Sequence, residues 1–118
     1  MKHEMRLNSE PYNCIKSGTK TIELRLNDDK RKKIKKDDIV EFTNRDTNEK
    51  KLVIVEDLFR YPSFEELYKH FDKVSLGYKE NEDANYKDME EYYSKENQKK
   101  YGVLGIKIRK VDGINCEK

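Results

Sequence analysis

The chain has 118 residues, 34% hydrophobic and 42% charged, with a net charge of +2. This length allows one small hydrophobic core and excludes two independent ones. No apolar run is long enough for a membrane span or a signal-peptide core, so no membrane partner is expected and the cytoplasm is the default location.

Met1 to Leu7 is predicted to form a short strand with Met5 and Leu7 on one face. Ser9 is expected to cap a short helix through Lys16, its hydroxyl accepting from orphan first-turn amides. Pro11 is tolerated in that first turn. Tyr12 and Ile15 share a helical face, and Gly18 supplies a left-handed stop. From Thr19 the period changes to two. Ile22, Leu24 and Leu26 alternate with Thr21, Glu23 and Arg25, the pattern of a strand with one buried face. Leu24 is therefore expected to face a barrel interior, and Glu23 and Arg25 the opposite side.

Asp38 to Thr43 and Leu52 to Phe59 read as strands joined by a polar turn into a hairpin. Ser63 and Glu66 have capping-box spacing ahead of an apolar stripe of Phe64, Leu67, Tyr68 and Phe71. A polar connection over 72–85 follows. Asn85 and Asp88 resemble a second cap, with Tyr86, Met89 and Tyr93 on one helical face. Gly102 opens a last strand in which Leu104, Ile106 and Ile108 alternate with smaller or charged residues. The tail over 113–118 is expected to be disordered. About five strands and three short helices, without a βαβ rhythm, predict an α+β fold built on a small, partly open barrel.

Charge is unevenly spread. From Lys16 to Lys36 there are nine bases against three acids, and from Glu56 to Asn97 twelve acids against six bases. A field of that kind attracts a phosphate-bearing ligand to one end of the molecule and repels it from the other. The plainer reading of Lys30 to Lys36 is a solvated loop. Cys14, Cys116, His3 and His70 are isolated, so no metal site and no disulfide framework is predicted. No cofactor is implied.

The densest cluster of chemistry is Gly18-Thr19-Lys20-Thr21-Ile22-Glu23-Leu24-Arg25. On a strand beginning near Thr21, Thr21, Glu23 and Arg25 share a face, and Lys20 sits at the turn where it can swing toward them. One carboxylate acceptor beside two cationic donors suits a nucleobase edge with a phosphate or sugar. The plain alternative is a surface ion pair on a half-exposed strand, worth about 0–1 kcal/mol. Tyr92 and Tyr101 are further candidates, since tyrosine stacks on a base and still offers a hydroxyl. Tyr86 and Tyr93 read rather as helix core. Asn8 and Tyr12 are candidates for the mouth of the same pocket.

This segment resembles the G-x-K-x-x-E-x-R motif of ASCH domains. Lys36-Asp37-Asp38-Ile39-Val40-Glu41-Phe42 is similar to the family's turn into a strand, with Asp37 where glycine is common. Tyr101-Gly102-Val103-Leu104-Gly105-Ile106 is similar to its last strand. The resemblance spans nearly the whole chain, and it implies a single PUA-like domain over residues 1–112. It further implies binding of RNA or a modified nucleoside or nucleotide through Lys20, Thr21, Glu23, Arg25 and Tyr101, with oligomeric state left open. Two enzyme readings accompany it, in which Lys20 and Glu23 become catalytic. Some small family members deacetylate acetylated cytidine with a lysine, a threonine and a glutamate. Lys20 matches their lysine but Glu23 stands at their threonine, leaving Thr21 as substitute hydroxyl and Glu80, Glu82, Glu90 or Glu91 as the later glutamate. In a ribonuclease, Lys20 and Arg25 would stabilise a phosphorane while Glu23 acts as base. A fourth reading, a protein-interaction domain, would need an exposed apolar patch that the pattern does not show.

Overall fold

β1 (Lys2–Leu7) alternates its burial, so Met5 and Leu7 face inward while Lys2, Glu4 and Arg6 do not. In the computed structural model, which describes residues 1–111, β1 pairs in parallel with β3 (Ile39–Asn44). β3 pairs antiparallel with β4 (Lys50–Tyr61), the expected hairpin. β4 pairs with β5 (Val103–Lys110), and β5 with β2 (Ile22–Leu26), both antiparallel. The resulting order is β1-β3-β4-β5-β2, a five-stranded mixed sheet curled into a half-barrel. A register shift between Val55 and Asp57 marks a bulge in β4, a device that sharpens local bend and twist. The expectation about residues 113–118, like Cys116, lies outside the described residues.

The helices are short. α1 (Ser9–Ser17) starts one residue earlier than a Ser9 cap would place it. Asn8 is the N-cap and its side chain makes no capping bond, while the Ser9 hydroxyl donates to Asn44 and Asp46. Gly18 ends the helix at φ +92°, donating its amide to the Cys14 and Ile15 carbonyls. α2 (Phe64–Tyr68) is capped by Ser63, whose side chain accepts from the Glu66 amide. The expected helix after Asn85 is a 3-10 turn, Tyr86–Glu91, and the third α-helix is α3 (Lys95–Tyr101), capped by Ser94. Asp37 adopts φ +74°, accepting the left-handed conformation that glycine takes without steric cost.

Two apolar clusters lie on opposite faces of the sheet. Met5, Leu7, Tyr12, Ile15, Val40, Phe42, Val55, Leu104 and Ile106 fill the concave side, plugged by α1. Ile22, Leu24, Leu26 and Val103 pack on the other side against Phe64, Leu67 and Leu76. Direct antiparallel partners project to the same face, and Glu23 and Arg25 pair with Ile106 and Leu104. The expected orientation of β2 is therefore reversed. Glu23 and Arg25 point into the half-barrel, and Leu24 lies outside it beneath α2. Gly105 makes this possible, because a Cβ there would come within 3.3 Å of Leu67 and 3.4 Å of Ile22.

Candidate functional site

With this strand order β1 and β2 are the two edges of the sheet, linked in sequence by α1. The motif occupies the gap between them. After Gly18, the Thr19 and Lys20 amides donate to the Cys14 carbonyl, so the chain folds tightly over the helix end before β2 begins. The Thr21 and Ile22 amides both donate to the Ser75 carbonyl at 3.0 Å, tying the start of β2 to the segment after α2. Gly77, at φ +108°, lies over Lys20, and a Cβ there would sit 3.1 Å from Lys20 Cδ. Lys20 is thus buried, at 8% exposure, with its alkyl stem roofed by backbone.

Glu23 is 2% exposed. Arg25 Nε donates to its Oε2 at 2.7 Å, and the Lys20 ammonium stands 3.1 Å from its Oε1. Oε1 has this charge partner but no hydrogen bond of good geometry. The motif is a buried triad of two cations and one carboxylate, which excludes the reading of a surface ion pair. Burial by itself pushes the Glu23 carboxyl up, and the Lys20 and Arg25 charges override it, holding the group below the usual carboxylate range. Burial likewise opposes the Arg25 charge, and Glu23 and the adjacent Tyr93 restore it, leaving the guanidinium more firmly protonated than usual. Arg25 Nη2 also donates to the Arg6 carbonyl at 3.3 Å, across the gap to β1.

A cleft of about 370 Å³ opens above this triad, the size of a small-molecule site. Lys20, Glu23 and Arg25 line it with Asn8, while Tyr78, Tyr92 and Tyr93 form an aromatic wall. Tyr78 donates to Asp88 at 2.7 Å and shares a 3.0 Å contact with the Tyr68 hydroxyl, and burial pushes both phenols up. Tyr93 stacks on Phe64 at 5.7 Å between centroids, so it is both core residue and cleft wall. Tyr92 is 64% exposed.

Two of the expected binding residues lie elsewhere. Thr21 lines a separate depression with Gly18, Lys107 and Lys110, because at the strand start its backbone bonds hold it away from the cleft. Tyr101 ends α3 and packs on the outer cluster beneath the Lys100 ammonium. Tyr12 is fully buried in the inner core rather than at a mouth. Of the four glutamates considered, Glu82 alone lines the cleft. The Lys30–Lys36 run is not among the lining residues, whereas the acidic stretch supplies Glu82 and Asp88 to one wall. The two charged regions therefore do not mark opposite ends of the molecule. Arg6 and Arg45 also line the cleft and were not anticipated; parallel pairing of β1 with β3 brings them there.

Among the described residues no group of three or more His, Cys, Asp or Glu side chains could hold a metal ion. No helix among them is long and apolar enough to cross a membrane.

The sequence matches the family model of the ASCH domain over residues 5–112. The fold is similar to the crystal structure of the hypothetical protein PH0355, with TM-score 0.75 and 34% identity over 94% of this chain and 100% of that one. It is also similar to the solution NMR structure of PF0455 from Pyrococcus furiosus, with TM-score 0.70 and 32% identity over 95% and 99% of the two chains. The ASCH crystal structure from Zymomonas mobilis shares the fold at TM-score 0.62 and 16% identity, covering 92% of this chain and 66% of that one. No curated protein matches the sequence.

Proposed function

The chain belongs to the ASCH domain family, a family generally related to RNA binding, and on that premise we propose that its cleft binds RNA or a modified nucleotide. The observation that carries this reading is the Lys20–Glu23–Arg25 triad, a buried carboxylate and two cations that line one cleft. An ionised carboxylate has about four lone-pair sites, so the two cations do not exhaust its capacity to accept from a ligand N–H. With the Lys20 ammonium 3.1 Å away, the floor offers an acceptor beside a donor. A nucleobase edge carrying an N–H next to a carbonyl or ring nitrogen matches that pair. Exposed Tyr92 supplies a plane for stacking.

The same geometry gives less support to amide hydrolysis. Lys20 is ion-paired to Glu23, and among the described residues no serine or threonine lines the cleft beside the triad.

The test is calorimetric titration of wild type and Glu23→Gln with free and modified nucleosides, their monophosphates and short single-stranded RNA, well below the melting temperature of both. The variant is expected to bind the best of these about 1–3 kcal/mol more weakly. Equal binding by the two proteins would remove Glu23 from the site.

A further inference from the structure

The rim of the cleft carries cations that the motif does not account for. Arg6 near the end of β1 and Arg45 just beyond β3 are both exposed and both line the cleft. The Arg45 amide donates to the Leu7 carbonyl at 2.9 Å, which fixes the two residues at neighbouring positions on the paired strand ends. Neither guanidinium has an acidic partner within ion-pair distance among the described residues. Asn8 and Pro11 place the start of α1 at the same rim, and the Asn8 side chain leaves the first-turn amides uncapped.

The carboxylates of the cleft have partners other than these two arginines. Glu10 stands 4.0 Å from the Lys79 ammonium, Glu82 accepts from the Lys79 amide at 2.7 Å, and Asp88 accepts from Tyr78. The cleft therefore joins a buried carboxylate at its floor to two rim arginines that have no acidic partner within ion-pair distance among the described residues. A neutral nucleoside would satisfy the first and leave the second unused. Guanidiniums bind phosphate with charge-assisted, often bidentate hydrogen bonds, and helix N-termini reinforce them.

We propose that Arg6, Arg45 and the start of α1 form a phosphate subsite, so that the cleft takes a phosphorylated nucleotide in preference to a free nucleoside. The phosphate is a monoester on a mononucleotide or a diester within an RNA strand. The proposal rests on the nucleotide-binding reading of the cleft and adds the part of the ligand that the triad does not reach.

The experiment titrates wild type, Arg6→Gln, Arg45→Gln and the double variant with cytidine, guanosine, their 5′-monophosphates and an unmodified single-stranded octaribonucleotide. Both arginines are exposed, and melting curves check that the variants remain folded. In wild type the phosphorylated probes are expected to bind about ten-fold tighter than the nucleosides, with an advantage that falls as salt rises. The double variant is expected to lose that advantage to within about two-fold while keeping its nucleoside affinity. A gain already complete with a monophosphate identifies a monoester, and one confined to the octamer identifies the chain diester. Equal binding of nucleosides and phosphorylated probes by wild type would overturn the subsite, as would an advantage that survives in the double variant. Both outcomes leave the nucleoside cleft standing. Absence of binding by every probe, and by the modified nucleosides and monophosphates titrated above, would overturn the cleft reading and the subsite together.

Discussion

Glu23 and Arg25, two residues apart on β2, form a 2.7 Å hydrogen-bonded ion pair that faces the inside of the half-barrel. Alternation along β2 puts them on the same face, and Lys20 adds a second cation from the preceding turn. Two cations matched to one carboxylate leave the triad with a net positive charge.

Glu23→Gln should cost stability as well as affinity. It leaves Lys20 and Arg25 without a counter-charge in a desolvated place, a loss of about 3 kcal/mol or more. Because the Glu23 pKa is depressed in the folded protein, its contribution is fully present above the ordinary glutamate value, about 4.3. It disappears as pH falls through the lower folded value. Urea unfolding from pH 7 to pH 3 should therefore show wild type and variant converging in acid. A gap that stays constant with pH would contradict the triad.

Leu24→Ala should cost about 2–5 kcal/mol, since it opens a cavity beneath α2. The damage should be local to the outer layer. Hydrogen exchange of α2 amides should accelerate before that of β1 and β3, which border the other cluster. Faster exchange in β1 and β3 first would place Leu24 inside the half-barrel after all.

Gly77→Ala should strain the segment over Lys20. The residue holds φ +108°, and the new methyl would meet Lys20 Cδ at 3.1 Å. A left-handed non-glycine residue costs about 1–2 kcal/mol, and displacement of Lys20 should weaken ligand binding beyond that stability loss. Thermal melts and titrations on one preparation separate the two effects. Unchanged affinity would mean that the segment does not position Lys20.

Deacetylation of acetylated cytidine should proceed no faster with wild type than with Lys20→Arg. Arginine keeps the positive charge but cannot act as a base near neutral pH. Clear turnover by wild type that vanishes in the variant would make the chain an amidohydrolase.

The alternation of Ile22, Leu24 and Leu26 with Glu23 and Arg25 is legible in the sequence, and it locates the candidate site. Which face is wet is not, because that inference assumes a strand covered on one side only. β2 and β5 are covered on both, and Glu23 tolerates burial only because Lys20 and Arg25 accompany it. α3 is hidden for a different reason. Lys95–Tyr101 has no apolar stripe, and its buried residue is Gln98, whose side chain accepts from the Phe64 amide and donates to the Tyr93 carbonyl. Its local signals mark the ends alone, with Ser94 at the start, Lys99 and Lys100 in the last turn and Gly102 after it. Arg6 and Arg45 meet through parallel pairing over a long stretch of chain, which leaves no periodic trace in either segment.

An open sheet with two free edges is a template on which a strand from another molecule can add. Here the Arg6 carbonyl, on the edge of β1, is already taken by the guanidinium of Arg25 reaching from β2. The side chain that holds Glu23 in place therefore also acts as a seam between the first and last strands of the half-barrel. Changes at Arg25 would break the ion pair and, at the same moment, bare a backbone acceptor on the β1 edge.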